Sequence, residues 1–211
     1  MNKFIVALML AVLGSAAVAD VADDVVRVRS AWEKIKYRAP EKEQEAAYEQ
    51  LAKEAASLKE KNPKDAPAAI WHGIIESSYA GAKGGLGALG LAKSAKKSFE
   101  DALAIDPKAL DGSAYTSLGS LYYQVPGWPI GFGDDKLALE FLNKGLAQNP
   151  NGIDPNYFYA DYLFRKGDLD GAEKAAKKAL AAPPREARPL ADEGRRKEVN
   201  ELLAKIAKKR K

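Results

Sequence analysis

The sequence predicts an all-α array of paired helices, and three observations carry that prediction. Proline recurs behind a helical pattern at Pro63, Pro107, Pro150 and Pro184, at intervals of 44, 43 and 34 residues. Ahead of each stands a set of small or apolar residues at three-and-four spacing: Leu51, Ala55, Leu58; Ala95, Phe99, Ala102; Ala138, Leu142, Gly145; and Ala172, Ala176, Ala179. That spacing puts them on one helix face, and proline, which lacks an amide hydrogen, punctuates the helix end. Gly73, Gly119 and Ala160 mark equivalent small positions in the helices that precede three of these sets.

The elements follow in order. Residues 1–19 read as an export signal: Lys3 is the positive start, Phe4 to Leu13 the apolar run and Ala17-Val18-Ala19 the small-residue cleavage pattern, so the mature chain is expected to begin at Asp20. The apolar stretch is shorter than the ~20 residues of a spanning helix. A partial repeat occupies residues 20–63, with helices over 22–37, carrying Val25, Val28 and Trp32, and over 42–61, carrying Leu51, Ala55 and Leu58. Three repeats fill residues 64–184. The first opens at Asp65 and Pro67 as cap and first turn, carries Ile70, Trp71 and Ile74, and resumes after a glycine-rich insertion, AGAKGGLGALG over 80–90, which reads as non-helical.

The second repeat starts at Asp111 or Ser113 and carries Tyr115, Leu118 and Tyr122. Its own insertion, VPGWPIGFGDD over 125–135, holds two prolines and three glycines and reads as a loop, with Asp134 or Asp135 capping the next helix. The third is uninterrupted, with helices over 155–166 and 169–181 turning at Gly167-Asp168. Residues 185–211 form a basic capping helix and tail, with Val199, Leu202, Leu203 and Ile206 on one face to cover the last repeat.

The last interval, 34 residues, is the length of the tetratricopeptide repeat. Ala95, Phe99, Ala102 and Pro107 resemble the second half of that repeat, and Tyr115, Leu118, Gly119 and Tyr122 the first, with tyrosine where the family usually has tryptophan. The resemblance implies a right-handed α-solenoid and a scaffold or binding module. A narrower resemblance rests on VPGWPIGFGDD and on NPNGIDPNYFYADYL from Asn149 to Leu163. It is to exported proteins similar to the tetratricopeptide T component associated with TRAP transporters, and it implies a periplasmic solute-binding protein as partner and an internal hydrophobic channel.

Composition narrows the function. The chain has no cysteine, which excludes disulfides, thiolate chemistry and a lipid-modified cysteine, so no stable membrane anchor is expected and the periplasm is the expected compartment. The net charge of +4 is a property of the tail: from Arg185 onward ten Lys or Arg stand against five Asp or Glu, and residues 20–184 carry −2. That distribution argues against nucleic-acid binding. The capping helix reads as a solvated charged face, because Glu198 and Glu201 interleave with its cations.

No catalytic constellation, metal cluster or cofactor motif stands out, so a non-enzyme without a cofactor is expected. Gly85, Gly87 and Gly90 have the spacing of a dinucleotide fingerprint, but no strand precedes them. His72 is the only histidine and reads as a partly exposed packing residue; Asp134 and Asp135 read as helix caps.

Aromatic crowding is the informative signal. Eleven of eighteen aromatics lie between Tyr115 and Phe164, and tyrosine and tryptophan are the residues of binding hot spots. The candidate contact residues are Tyr122, Tyr123, Trp128, Phe132, Asn156, Tyr157 and Tyr159, with Gln124, Asn143 and Asp161 as further polar groups. The expected function is a periplasmic protein-interaction module that uses its concave surface and the 125–135 loop, accessory to solute transport and free to self-associate. The alternative is a pocket in which the aromatic cluster over 115–164 encloses a small apolar ligand; the competing structural reading folds Trp128 and Phe132 back onto the adjacent helices.

Overall fold

The computed structural model describes the backbone of residues 9–85 and 87–211, and side chains from residue 21 onward with Leu86 excepted. Lys3 and residues 4–8 of the apolar run of the export signal lie outside the described residues. Among the described residues nine helices follow one another: α1 Met9–Arg38, α2 Glu41–Lys61, α3 Ala66–Lys83, α4 Ala88–Ile105, α5 Ala109–Gln124, α6 Asp135–Gln148, α7 Ile153–Lys166, α8 Leu169–Leu180 and α9 Pro189–Lys209. None of them is long and apolar enough to cross a membrane.

Consecutive helices pair as α3 with α4, α5 with α6 and α7 with α8, and neighbouring pairs stack into an array. The recurrent prolines lie just past the ends of α2, α4, α6 and α8. Asn62, Asp106 and Asn149, the residues before three of them, all leave helical geometry, as steric conflict with a following proline ring requires. Three helices are capped by aspartate, two of them, at Asp65 and Asp134, as the sequence reading has it. The carboxylates of Asp65, Asp134 and Asp168 accept the N–H of Ala68 at 2.7 Å, Lys136 at 2.8 Å and Gly171 at 2.8 Å.

The small-residue positions are where helices of a pair approach. A Cβ added to Gly73 would lie 2.6 Å from the Phe99 ring, and one on Gly119 would lie 2.7 Å from Leu142 Cγ. Phe99 and Leu142 are buried in consequence and, with Ile70 and Leu118, hold one continuous core. A second core joins Val28, Trp32, Leu51 and Trp71 across α1–α3, and a third joins Ala172, Ala176 and Ala179 to Val199, Leu202 and Ile206 of α9. The apolar face of α9 thus covers the last repeat.

Three features differ from the sequence reading. The first glycine-rich insertion is largely helical: α3 runs to Lys83 and α4 starts at Ala88, because Ala80 and Ala92 pack into the core and offset the low helix propensity of glycine. At the start of α5, Leu110, Asp111 and Gly112 take left-handed φ values of 48°, 55° and 72°, so regular helix begins only at Ser113. His72 is buried, not partly exposed.

The array also closes on itself. Beyond covering α8, α9 reaches α1: Arg188 Nε donates to Glu33 at 2.6 Å, Arg38 to Glu193 at 2.7 Å, and Lys36 lies 3.1 Å from Glu198. The concave face is therefore spanned by its two terminal helices.

Candidate functional site

The structure distributes the aromatic cluster between the outside of the array and its interior. On the outside, residues 125–134 form a backbone-stapled loop. Gly133 N–H donates to the Pro126 carbonyl at 3.0 Å, Gly131 N–H to the Gly127 carbonyl at 3.0 Å, and Asp134 N–H to the Tyr122 carbonyl at 2.9 Å. Phe132 turns inward, edge-on to Tyr122 with ring centroids 5.7 Å apart, and Tyr122 stacks on Phe141 at 5.6 Å. Trp128 turns outward. It is 90% exposed, next to Ile130 at 64%. The loop thus folds back through Phe132 while presenting an indole to solvent.

The other candidate residues have separate surroundings. Tyr123 donates its hydroxyl to Asp161 Oδ2 at 2.9 Å, and burial pushes its pKa well up, followed by the Asp161 charge. Asn156 is buried and spends its amide on the carbonyls of Pro150 and Gly152, at 3.0 and 2.8 Å, closing the turn into α7. Tyr159 is half-buried between the first and third cores. Only Tyr157 of the seven lines the interior, joined by Gln124 and Asp161; Asn143 is exposed elsewhere.

That interior is a cavity of about 990 Å³, closed on one side by the approach of α9 to α1. Its aromatic walls include Trp32, Tyr37, Trp71 and Phe158. Some of its charges, Arg185, Arg188, Arg195 and Glu198 among them, come from the tail read as solvated, and this corrects that expectation. Arg195 is buried, donates to Asp154 at 2.8 Å and Glu198 at 2.7 Å, and lies 4.4 Å over the Tyr157 ring. Arg185 bridges Asp154 and Asp192, each at 2.6 Å. Burial alone would raise the Asp154 pKa, but the Arg195, Arg185 and Arg188 guanidiniums outweigh it and hold that carboxyl well below the usual range. Among the signals in sequence, Arg29, Trp32 and Lys36 at helical spacing on α1 pointed to this wall and were missed.

His72 acquires partners that the sequence does not place beside it. Its Nδ1 lies 2.8 Å from Ser98 Oγ and its Nε2 3.5 Å from Glu76 Oε1. The set has the residue types of a nucleophile, base and orienting acid, yet Ser98 is 1% exposed and its hydroxyl donates to the Ser94 carbonyl and accepts from Lys59. Among the described residues no His, Cys, Asp and Glu group is arranged to hold a metal.

No protein-family model matches the sequence, and no curated protein matches it. Among solved structures, the chain is similar to TTC0263, a thermophilic TPR protein in Thermus thermophilus. The two share 22% identity over 77% of this chain and 83% of that one, with a TM-score of 0.53. It is also similar to MamA, at 18% identity over 80% of this chain and 92% of that one, with a TM-score of 0.46. The likeness to TTC0263, added to the paired helices and their small-residue register, defines the class: an all-α solenoid of the tetratricopeptide type.

Proposed function

We propose that this chain is an exported, periplasmic protein-interaction module that engages its partner through the outward loop at 125–134. The observation that carries the reading is Trp128, 90% exposed on a loop already held by backbone hydrogen bonds. An indole left in water on a preorganised loop offers large apolar contact area at little ordering cost, the property that makes tryptophan a hot-spot residue. The repeat scaffold supports the same reading, since each repeat contributes surface without a reactive group. The signal pattern at residues 1–19 supports export. The partner that fits the narrower sequence resemblance is a periplasmic solute-binding protein, with this chain as an accessory to its transport system. Because α9 spans the concave face, the outer loop and not an open groove is the contact surface.

The test is affinity capture from envelope extract with cell-processed wild-type and Trp128→Ala baits, read by mass spectrometry. A solute-binding or transporter protein held by wild type and lost by the variant supports the reading. Identical captures by both baits overturn the role of the loop.

A further inference from the structure

Where α1, α7 and α9 meet, one arginine of the cavity wall has no acid partner. Around that junction an ion-pair network joins Lys36, Arg185, Arg188 and Arg195 to Glu33, Asp154, Asp192 and Glu198, and Arg29 stands beside these cations. Every one of these cations except Arg29 has a carboxylate oxygen within 3.1 Å. Arg29 has none within pairing distance among the described residues; its one polar contact is the Ala187 carbonyl at 3.5 Å, the outer limit of a hydrogen bond, and its Nε finds no acceptor. Arg185 Nη2, on another wall of the same cavity, also lacks a partner. Buried guanidinium nitrogens normally have an acceptor, and an arginine can only donate.

Aromatic side chains line the same cavity. Trp32 follows it by three residues on the same helix face, Tyr37 is edge-on to Trp32 with centroids 5.9 Å apart, and Phe158 faces the cavity from α7. The volume of about 990 Å³ suits a small organic molecule. We propose that this cavity binds a small organic monoanion, its acid group paired with Arg29 and its apolar body against Trp32, Tyr37 and Phe158. Closure of α9 onto α1 obstructs an extended peptide along the concave face, and an inorganic anion leaves the aromatic walls unused. The site is separate from the Trp128 loop and does not depend on the docking role of that loop.

The test uses anilinonaphthalene sulfonate and its uncharged counterpart N-phenylnaphthylamine, which share an apolar body, in fluorescence titrations of the purified, cell-processed protein. The sulfonate binds at least about tenfold more tightly, the size expected of one charge-assisted contact. Arg29→Gln removes that preference and leaves binding of the neutral dye unchanged, while Lys178→Gln, at an exposed position of α8, leaves both unchanged. In wild type alone, phenylbutyrate displaces the sulfonate and phenylbutanol does not, a comparison that stands even if the Arg29 variant fails to fold. Equal affinity for the two dyes, equal displacement by acid and alcohol, or a folded Arg29→Gln protein with undiminished preference overturns the proposal.

Discussion

In the first two complete repeats a large side chain of the second helix lies against a glycine of the first: Phe99 against Gly73 and Leu142 against Gly119. The third repeat carries alanine at both places, Ala176 and Ala160, each fully buried. Burying a phenylalanine or leucine side chain contributes roughly 1.5–3 kcal/mol relative to leaving it exposed, and the single methyl of alanine contributes far less. The third repeat lacks that contribution and is bounded instead by α9, whose apolar stripe covers it and whose Arg195 pairs with Asp154 of α7, as does Arg185 of the segment that follows α8. One helix register is thus held by interlocking volume at one end and by apolar cover plus paired charge at the other.

The largest expected effect is at the charged end. Asp154→Ala leaves Arg185 without one of its two carboxylates and buried Arg195 with only Glu198, and is expected to cost about 3–5 kcal/mol in urea unfolding. Hydrogen exchange should place the lost protection in α7–α9. Equal loss across α3–α6 would break the division between the two ends.

The interlocked end is tested by Gly73→Ala, which drives a methyl into the Phe99 ring and should cost about 1–3 kcal/mol. In a Phe99→Leu background the penalty should shrink, and a double-mutant cycle measures the coupling. The opposite exchange in the third repeat, Ala160→Gly, should cost only about 1 kcal/mol through helix propensity.

Acid sharpens the comparison further. Burial, then the Lys59 charge, brings the folded His72 pKa down to about 4. The unfolded chain takes up that proton below about pH 6.5, whereas the native protein resists it until about pH 4, so this contribution is fully present above pH 6.5 and is lost as pH falls toward 4. Between pH 7 and 4.5 wild type should lose about 2 kcal/mol more than His72→Gln, measured by urea unfolding at both pH values. Asp154, held ionised by its arginines, should contribute no loss in that window.

The features the sequence determined are local. Helical spacing of Ala95, Phe99 and Ala102, proline at each exit, and aspartate at 65, 134 and 168 act through neighbours within one or two turns, so their pattern fixes helices, caps and pair register. Glycine in the 80–90 insertion misled because packing of Ala80 and Ala92, a tertiary contribution, outweighed local propensity. The candidate site was less legible. Tyr122, Phe132 and Trp128 are close in sequence, yet one is core, one is the foot of a loop and one stands in water; side-chain type does not state which way a loop turns. Charges were the least legible, because an arginine on a charged helix looks the same whether solvated or paired. Only the tertiary structure brought Arg188 to Glu33, 155 residues away in sequence, closed α9 onto α1 and left Arg29 without an acid partner. Contacts at such separation depend on the summed rotation of the stacked repeats, which no local pattern records.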